Sequence, residues 1–361
     1  MNSTKNTKSK IALIGPYPPP YGGISIHIQR LKERLEKEGC DCVVYELGRQ
    51  GKPLEENIIR VKNVKRWLLK YLFFAKEGII HFHNPDWRMR VIMGLMGLLG
   101  KKTVISIHGE SLNDSLKEGG WFRKQIIKFA LKHTSFIIAA NESIKNLVSS
   151  LGVKQQSVAC ISAFIPPTVK AADHNKVPQY VWDFIHEHEP VIAGNAFSIR
   201  FYNEIDLYGL DMVVALTARL GNRYPKLGIV FCLPSIGDKD YFRKLNEEIK
   251  KRGLNEHILF ITEPLDEVYP IWEESDIFVR PTVTDGDALS IREALYLKTP
   301  VVTSDTCPRP KGVILFKNRD IDSFTENVEE VLVSYTRFKK ELESIKVDSG
   351  FDKILEVYNN F

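Results

Sequence analysis

Short apolar runs alternate with amphipathic helical stretches through both halves of this chain, and few folds accept that rhythm. In the first half the apolar runs lie at 11–15, 42–47, 79–83, 103–108 and 136–140. Helical patterns fall between them at 22–39, 60–76, 86–99, 121–133 and 141–151. In the first of these, Ile24, Ile28, Leu31 and Leu35 share a face and Gly39 is the stop. Strand–helix alternation of this kind predicts an α/β fold with parallel, doubly wound sheets. The rhythm breaks near Pro166, Pro167, Pro178 and Pro190, where mixed polar residues surround one apolar patch at Trp182, and 166–190 reads as an interdomain linker. It then resumes, with strands expected at 191–196, 228–233, 257–261, 277–280 and 301–303. Helices are expected at 210–220, 239–252, 265–274, 288–298, 321–335 and 351–359. Ligands of open α/β sheets sit at the carboxyl ends of the strands, so two such halves facing each other are expected to build one cleft.

The 361 residues suffice for two domains, and 43% hydrophobic with 26% charged residues excludes a disordered chain. No apolar run is long enough to span a bilayer, and the start MNSTKNTKSK lacks the apolar core of a signal peptide. Residues 1–10 read as a flexible tail. Cys40, Cys42, Cys160, Cys232 and Cys307 form neither a disulfide framework nor a zinc spacing, which fits a reducing cytoplasm. The net charge of +5 hides a split: residues 1–170 hold 27 Lys and Arg against 13 Asp and Glu, the remainder 23 against 32. Such asymmetry suggests that the first half meets an anionic surface. The segment Arg60–Lys76 interleaves its basic residues with Trp67, Leu68, Leu69, Tyr71, Leu72, Phe73 and Phe74, and 88–102 and 121–132 repeat that character. An anionic membrane surface is therefore the expected partner, rather than nucleic acid.

The chemistry concentrates at Asp285-Gly286-Asp287-Ala288-Leu289-Ser290-Ile291-Arg292-Glu293, between an expected strand and helix. The helix start at Ala288, Leu289 and Ser290 offers free backbone N–H groups and a positive dipole end to a phosphate. Glu293, eight positions after Asp285 on a helix otherwise buried by Ala288, Leu289, Ile291, Ala294 and Leu295, can accept bonds from sugar hydroxyls. The alternative for Glu293 is a surface carboxylate paired to Arg292 or Lys298. The loop Gly15 to Gly23 (GPYPPPYGG) joins the first strand to the first helix, where Gly22 and Gly23 allow positive φ and close backbone approach, or serve only a proline-rich turn. His108 ends an expected strand and points toward the expected cleft, while Glu110 reads as a helix cap. Arg200, near Asn195 after the first strand of the second half, could meet a phosphate through paired N–H bonds or stand on the surface. His81 and His83 share a strand face at metal-pair spacing, but no third ligand is evident beyond Asp86; they read as cleft-edge histidines, and no metal is expected.

With these residues in view, nearly the whole chain resembles glycosyltransferase family 4, sugar-nucleotide-dependent transferases of the GT-B fold. Asp285-x7-Glu293, followed by Ala294-Leu295-Tyr296-Leu297-Lys298-Thr299-Pro300-Val301-Val302, is similar to the family's Glu-x7-Glu segment and its following strand. The Gly22-Gly23 loop, Ile80-His81-Phe82-His83, Ser106-Ile107-His108-Gly109 and the stretch from Trp272 to Pro281 resemble its other signatures. The resemblance implies GT-B architecture, two Rossmann-like domains facing each other across a cleft: 11–165 for the acceptor, 191–345 for the nucleotide sugar, and a helix in 346–361 packing back on the first. It also implies retaining transfer from a nucleoside-diphosphate sugar, with a UDP-sugar as the expected donor and no tightly bound cofactor. On that pattern Glu293 holds the ribose, Asp285 and His108 contact the donor sugar, and the Gly22-Gly23 loop approaches the diphosphate. The leaving phosphate oxygen would itself take the acceptor's proton, so stabilising that phosphate becomes the protein's task.

The chain departs from the pattern in two places. Asp285 is one methylene shorter than Glu. Asn195 stands where Arg is common and Tyr208 where Lys is common; Arg200 is the expected substitute for the lost charge. The expected function is assembly of a surface polysaccharide or glycolipid on a glycan or lipid-linked acceptor, at the inner face of the cell membrane. The competing readings are a sugar-nucleotide epimerase of the same architecture and a catalytically silent sugar-nucleotide-binding partner.

Overall fold

A computed structural model describes residues 10–19, 21–47, 57–83, 85–109 and 111–361. The chain divides into two compact units, residues 1–165 with 348–361, and residues 166–347.

The first unit runs β1 (Ile11–Gly15), α1 (Gly23–Lys37), β2 (Cys42–Glu46), β3 (Ile58–Arg60), α2 (Val64–Phe74), β4 (Ile79–His83), α3 (Trp87–Leu98), β5 (Lys102–Ile107), α4 (Ser111–Lys117), α5 (Trp121–His133), β6 (Phe136–Ala139), α6 (Glu142–Ser150) and β7 (Val158–Cys160). Its seven strands lie in the order β3-β2-β1-β4-β5-β6-β7, every neighbouring pair parallel. The order reverses between β1 and β4, so the carboxyl ends of those strands, at Gly15 and His83, mark the topological switch point where such sheets bind ligands. Every residue of β1 and β4 is buried, because parallel sheets carry helices on both faces. Ala12, Ile14, Ile80 and Phe82 meet Leu68 of α2, Met93 of α3 and Ile127 of α5 on one side. Ile11, Leu13 and Ile79 meet Ile28, Leu31 and Leu35 of α1 on the other. Asn63, Asp86 and Asn141 cap α2, α3 and α6, each side chain accepting a backbone N–H three residues on.

The second unit runs α7 (Ala171–His174), α8 (Gln179–Glu187), β8 (Val191–Asn195), β9 (Phe201–Tyr202), β10 (Ile205–Asp206), α9 (Leu210–Leu220), β11 (Gly228–Cys232), α10 (Lys239–Lys251), β12 (Ile258–Ile261), α11 (Tyr269–Glu273), β13 (Ile277–Arg280), α12 (Leu289–Tyr296), β14 (Val301–Ser304), β15 (Val313–Phe316), α13 (Ile321–Val333) and α14 (Tyr335–Glu343). Its parallel sheet has the order β12-β11-β8-β13-β14-β15, with the switch point between β8 and β13. The segment 166–190 is not a linker here. It carries α7 and α8, and Val177, Val181 and Ile185 are buried with Trp272, Phe278 and Leu295. The four-residue spacing of Val181 and Ile185 forms a helix face, while Pro178 caps α8 and Pro190 precedes β8. The last helix, α15 (Phe351–Asn359), joins the first unit, where Phe351, Ile354, Val357 and Tyr358 pack against Ile11, Val44 and Ile79.

Elements beyond the sequence expectation are mostly short: β3, β7 and β15 at sheet edges, the β9–β10 hairpin, α4, and a break at Ser334 separating α13 from α14. All five cysteines are free. Among the described residues no helix is long and apolar enough to cross a membrane.

Candidate active site

In the second unit, β13 ends on Arg280, the last residue of Ile277-Phe278-Val279-Arg280. A charge there is carried out of the apolar sheet at the switch point, where it finds three acceptors. Its Nη1 donates to Asn195 O at 2.9 Å and Asn195 Oδ1 at 3.1 Å, at the carboxyl end of β8. Its Nε donates to Asp285 Oδ2 at 3.1 Å, and the guanidinium lies 5.0 Å from the Tyr208 ring centroid. Arg309, in the loop after β14, donates from Nη1 to the same Asp285 Oδ2 at 3.1 Å and from Nε to Ser304 O at 3.2 Å. Asp285 Oδ1 accepts the Gly286 N–H at 3.0 Å. Burial would raise the Asp285 carboxyl, but Arg280 and Arg309 together hold it below the usual carboxylate range. Two guanidiniums against one carboxylate leave a net positive charge beside the start of α12.

Ala288 caps α12 without a side-chain bond, and no acidic residue stands in the first turn with Leu289 and Ser290. The cap side chain thus leaves the first N–H groups of α12 unbonded. Glu293 is 5% exposed, on the buried face with Ala294 and Leu295, and its Oε2 accepts Trp272 Nε1 at 2.9 Å. The basic neighbours weighed as its partners are engaged elsewhere. Arg292 donates to Asp287 at 2.6 Å, and Lys298 Nζ donates to the Leu342 and Ile345 carbonyls.

Arg200 stands apart from this set. It is exposed, and its Nε donates to Ser198 Oγ at 3.3 Å. Its loop does reach the site, because Leu207 O accepts Val283 N and Thr282 Oγ1. Gly209, at φ +70°, closes that approach: an added Cβ would lie 2.3 Å from Pro281 O.

In the first unit, Gly22 caps α1 at φ −146°, and neither Gly22 nor Gly23 uses the positive φ that glycine allows. The Gly22 N–H is also taken, donating to Ser25 Oγ at 2.9 Å. Ser25 thus occupies the N-cap N–H, while no side chain caps the first turn of α1. What remains at Gly22 is room, since the nearest atom to an added Cβ is 3.9 Å away.

His108 follows β5 and is half-buried. It joins His83, at the end of β4, and His27, in the second turn of α1, with ligand nitrogens all within 4.8 Å of one another. His81 and His83 are buried, at 0% and 3% exposed. His81 is bonded from both nitrogens, to Tyr358 Oη at 2.5 Å and Ser106 Oγ at 2.8 Å. Burial pushes His27 down to about 4, against the favourable bond to Ala163 O and aided by Arg30. Burial first, then the neighbouring imidazoles, hold His83 and His108 well below the ordinary histidine value. All three rings are thus neutral near pH 7. Glu110 lies outside the described residues.

Sequence reasoning missed Arg280, Arg309, Trp272 and His27. A signal existed for Arg280, a lone charge closing an apolar strand, and for Arg309, a charge between Pro308 and Pro310 just after a strand. His27 closes the stretch that resembles the family's Gly-Gly loop, but nothing in the sequence set it beside His83 and His108.

Two family descriptions match the chain, Glycosyltransferase Family 4 over residues 21–169 and Glycosyl transferases group 1 over residues 200–334. No curated protein sequence matches it. Among solved structures, HepE of Anabaena in complex with UDP is similar at a TM-score of 0.67 and 12% identity, covering 98% of this chain and all of that one. The same Anabaena protein with UDP-glucose aligns at 0.63 and 13% identity, over 98% of this chain and 97% of that one. WaaG, a glycosyltransferase involved in lipopolysaccharide biosynthesis, aligns at 0.66 and 12% identity, over 96% and 99%. Identities this low speak for the fold alone, and the two parallel-sheet units are those of GT-B. On the family matches to both halves and on that fold, the chain belongs to glycosyltransferase family 4.

Proposed function

We propose that the chain transfers a sugar, with retention, from a UDP-sugar to a glycan or lipid-linked acceptor in surface polysaccharide or glycolipid biosynthesis. The observation that carries this is the Arg280–Asp285–Arg309 triad beside the uncapped start of α12, with Glu293 fixed by Trp272 one turn further on. The two guanidiniums take the role expected of Arg200: they neutralise the diphosphate and stabilise the oxyanion that leaves. Backbone N–H groups at Ala288, Leu289 and Ser290 face the same charge. Glu293 accepts the ribose hydroxyls. Asp285 holds both arginines in place and, with about four lone-pair sites on an ionised carboxylate, keeps one for a donor-sugar hydroxyl. His108, neutral, bonds the donor sugar. The leaving phosphate oxygen removes the acceptor's proton on the same face, so no protein nucleophile is required. HepE and its bound UDP and UDP-glucose support the choice of donor.

The acceptor's location is proposed from the first unit. There α3 packs against both α2 and α5, and Phe73, Phe74, Trp121 and Phe122 are 61%, 76%, 75% and 71% exposed. With Lys65, Arg66, Lys70 and Lys124 exposed beside them, this face suits an anionic membrane.

A panel of sugar nucleotides, read by thermal stabilisation and then by transfer to acceptor, tests the donor. One UDP-sugar should stabilise the protein, and Glu293→Ala should abolish that shift. A stabilising shift undiminished in Glu293→Ala would remove Glu293 from the ribose site. Conversion of the donor without acceptor would turn the assignment to an epimerase.

A further inference from the structure

We propose that His27, His83 and His108 form a binding site for a first-row transition-metal dication, zinc foremost, held by three imidazole nitrogens. The site lies at the switch point of the first sheet: His83 closes β4, His108 follows β5, and α1, which follows β1, brings in His27. A pair of histidines on one strand lacks a third ligand in sequence. The fold supplies two more, from positions 56 residues before and 25 residues after His83.

Three geometric facts support a metal rather than a hydrogen-bonded cluster. His108 Nε2 and His83 Nδ1 are 3.5 Å apart. That is long for a bond between rings, yet near the about 3.3–3.4 Å separating two nitrogens on a tetrahedral zinc with Zn–N of about 2.0–2.1 Å. The candidate ligand atoms of all three residues lie within 4.8 Å of one another. Among the described residues His27 Nε2 is a buried polar atom with no hydrogen-bond partner, an arrangement that costs free energy unless something takes up its lone pair.

His27 is also oriented for the task. Its Nδ1 is 2.6 Å from the Ala163 carbonyl oxygen. A carbonyl only accepts, so Nδ1 carries the proton and Nε2 keeps the lone pair. A backbone carbonyl fixing the tautomer and the ring of a ligating histidine is the usual outer-shell partner of a metal site. Burial keeps all three rings in the neutral form that ligates. His81 is not a ligand, since Tyr358 and Ser106 occupy its nitrogens. His108, the half-buried member, gives the side of entry. Three protein ligands leave a fourth position for water or another oxygen. Imidazole sites of this kind suit zinc, copper and nickel, and exclude the hard cations magnesium and calcium. Arg30, charged and close enough to bear on His27, opposes a cation, so affinity on the order of micromolar is expected.

The test uses the untagged full chain, stripped with a chelator and dialysed. Titration with Zn2+ followed by calorimetry should give one ion per chain, and Co2+ should give the intense visible band of a tetrahedral site. His27→Ala and His83→Ala should each lower Zn2+ affinity at least about 100-fold, more than loss of an outer-shell partner alone achieves. His186→Ala, on the surface, should leave it unchanged. His27→Asn keeps a polar group of smaller volume, and its circular dichroism establishes that the unit is folded. Absence of saturable Zn2+ binding, a weak octahedral Co2+ spectrum, or unchanged affinity in both alanine variants would each overturn the site. The site shares only His108 with the donor reading, so the test rests on His27 and His83, and Glu293→Ala should bind Zn2+ as the unaltered chain does.

Discussion

The two sheets place their functional side chains at the same topological position and solve the electrostatics in opposite ways. At the β1/β4 switch point three imidazoles are stripped of charge by burial, and among the described residues no carboxylate joins the cluster. At the β8/β13 switch point two guanidiniums and a carboxylate stay ionised because they bond each other and the chain. The first device leaves lone pairs available, at the cost of buried nitrogens without a hydrogen-bond partner among the described residues. The second keeps net positive charge where an anion can meet it, and only works as a set. A parallel sheet thus fixes where a ligand binds, and the side chains at its carboxyl edge decide what kind.

That contrast is most exposed by breaking the second device. Arg280→Ala should lower UDP affinity about 100-fold and native stability by about 3 kcal/mol, because it removes one of the two guanidiniums on buried Asp285 and the side-chain donor to Asn195. Replacing Arg280, Asp285 and Arg309 together by apolar residues of similar size should restore much of the stability and none of the affinity. Arg200→Ala, an exposed side chain, should cost UDP affinity about twofold. Calorimetry decides it: equal losses from Arg280→Ala and Arg200→Ala would return the phosphate charge to Arg200.

Acid separates the two devices by pH window. The folded His27 pKa of about 4 lies below the unfolded value of 6.5, so below pH 6.5 the unfolded chain binds the extra proton. Stability from this group is complete above pH 6.5 and falls to pH 4, by about 3 kcal/mol over about 2.5 units. Asp285 is depressed instead. Its contribution is present above the unfolded carboxyl value of about 3.9 and is lost only as pH falls through the lower folded value. Hydrogen exchange resolved by segment should therefore show the first unit weakening between pH 6.5 and 4 while strands β8, β13 and β14 hold. His27→Gln should shrink the first transition and leave the share that the buried His81, His83 and His108 contribute. Simultaneous loss of protection in both sheets near pH 5 would sink the distinction.

The parallel sheets were legible because fully buried strands such as β1, β4 and β13 are uninterrupted apolar runs between helical periods. The edge strands β3 and β7, of three residues each, carry too little pattern to read. The segment 166–190 was misread because its four prolines outweighed the single turn of spacing that Val181 and Ile185 offer. At the site, Asp285 and Glu293 were visible from their spacing across a strand–helix junction. Their partners were not: Trp272 reads as a core aromatic, and Arg309 meets Asp285 from 24 residues away. Gly22 does not use the positive φ open to glycine: Ser25, three residues on, offers an oxygen to its N–H while the residue is extended. Long-range pairing of this sort is a property of register, which no local window contains.

The smallest effect concerns the surfaces. Residues 1–170 are basic overall and the rest acidic, so an anionic bilayer attracts the first unit and repels the second. Each Lys or Arg near such a surface contributes about 1 kcal/mol, within a Debye length. Apolar insertion adds a term that salt does not screen. Vesicles containing phosphatidylserine should therefore bind the protein at low salt and release much of it as salt rises, with a residue of binding that Phe73 and Phe74 provide. Phe73→Ser with Phe74→Ser should weaken binding about fivefold, well below the full transfer value of two aromatic side chains, because each is already partly shielded. The loss should persist at high salt, when the basic residues are screened. Equal binding to neutral vesicles would leave the charge split without a role, and an unaltered affinity in the double variant would confine the attraction to charge alone.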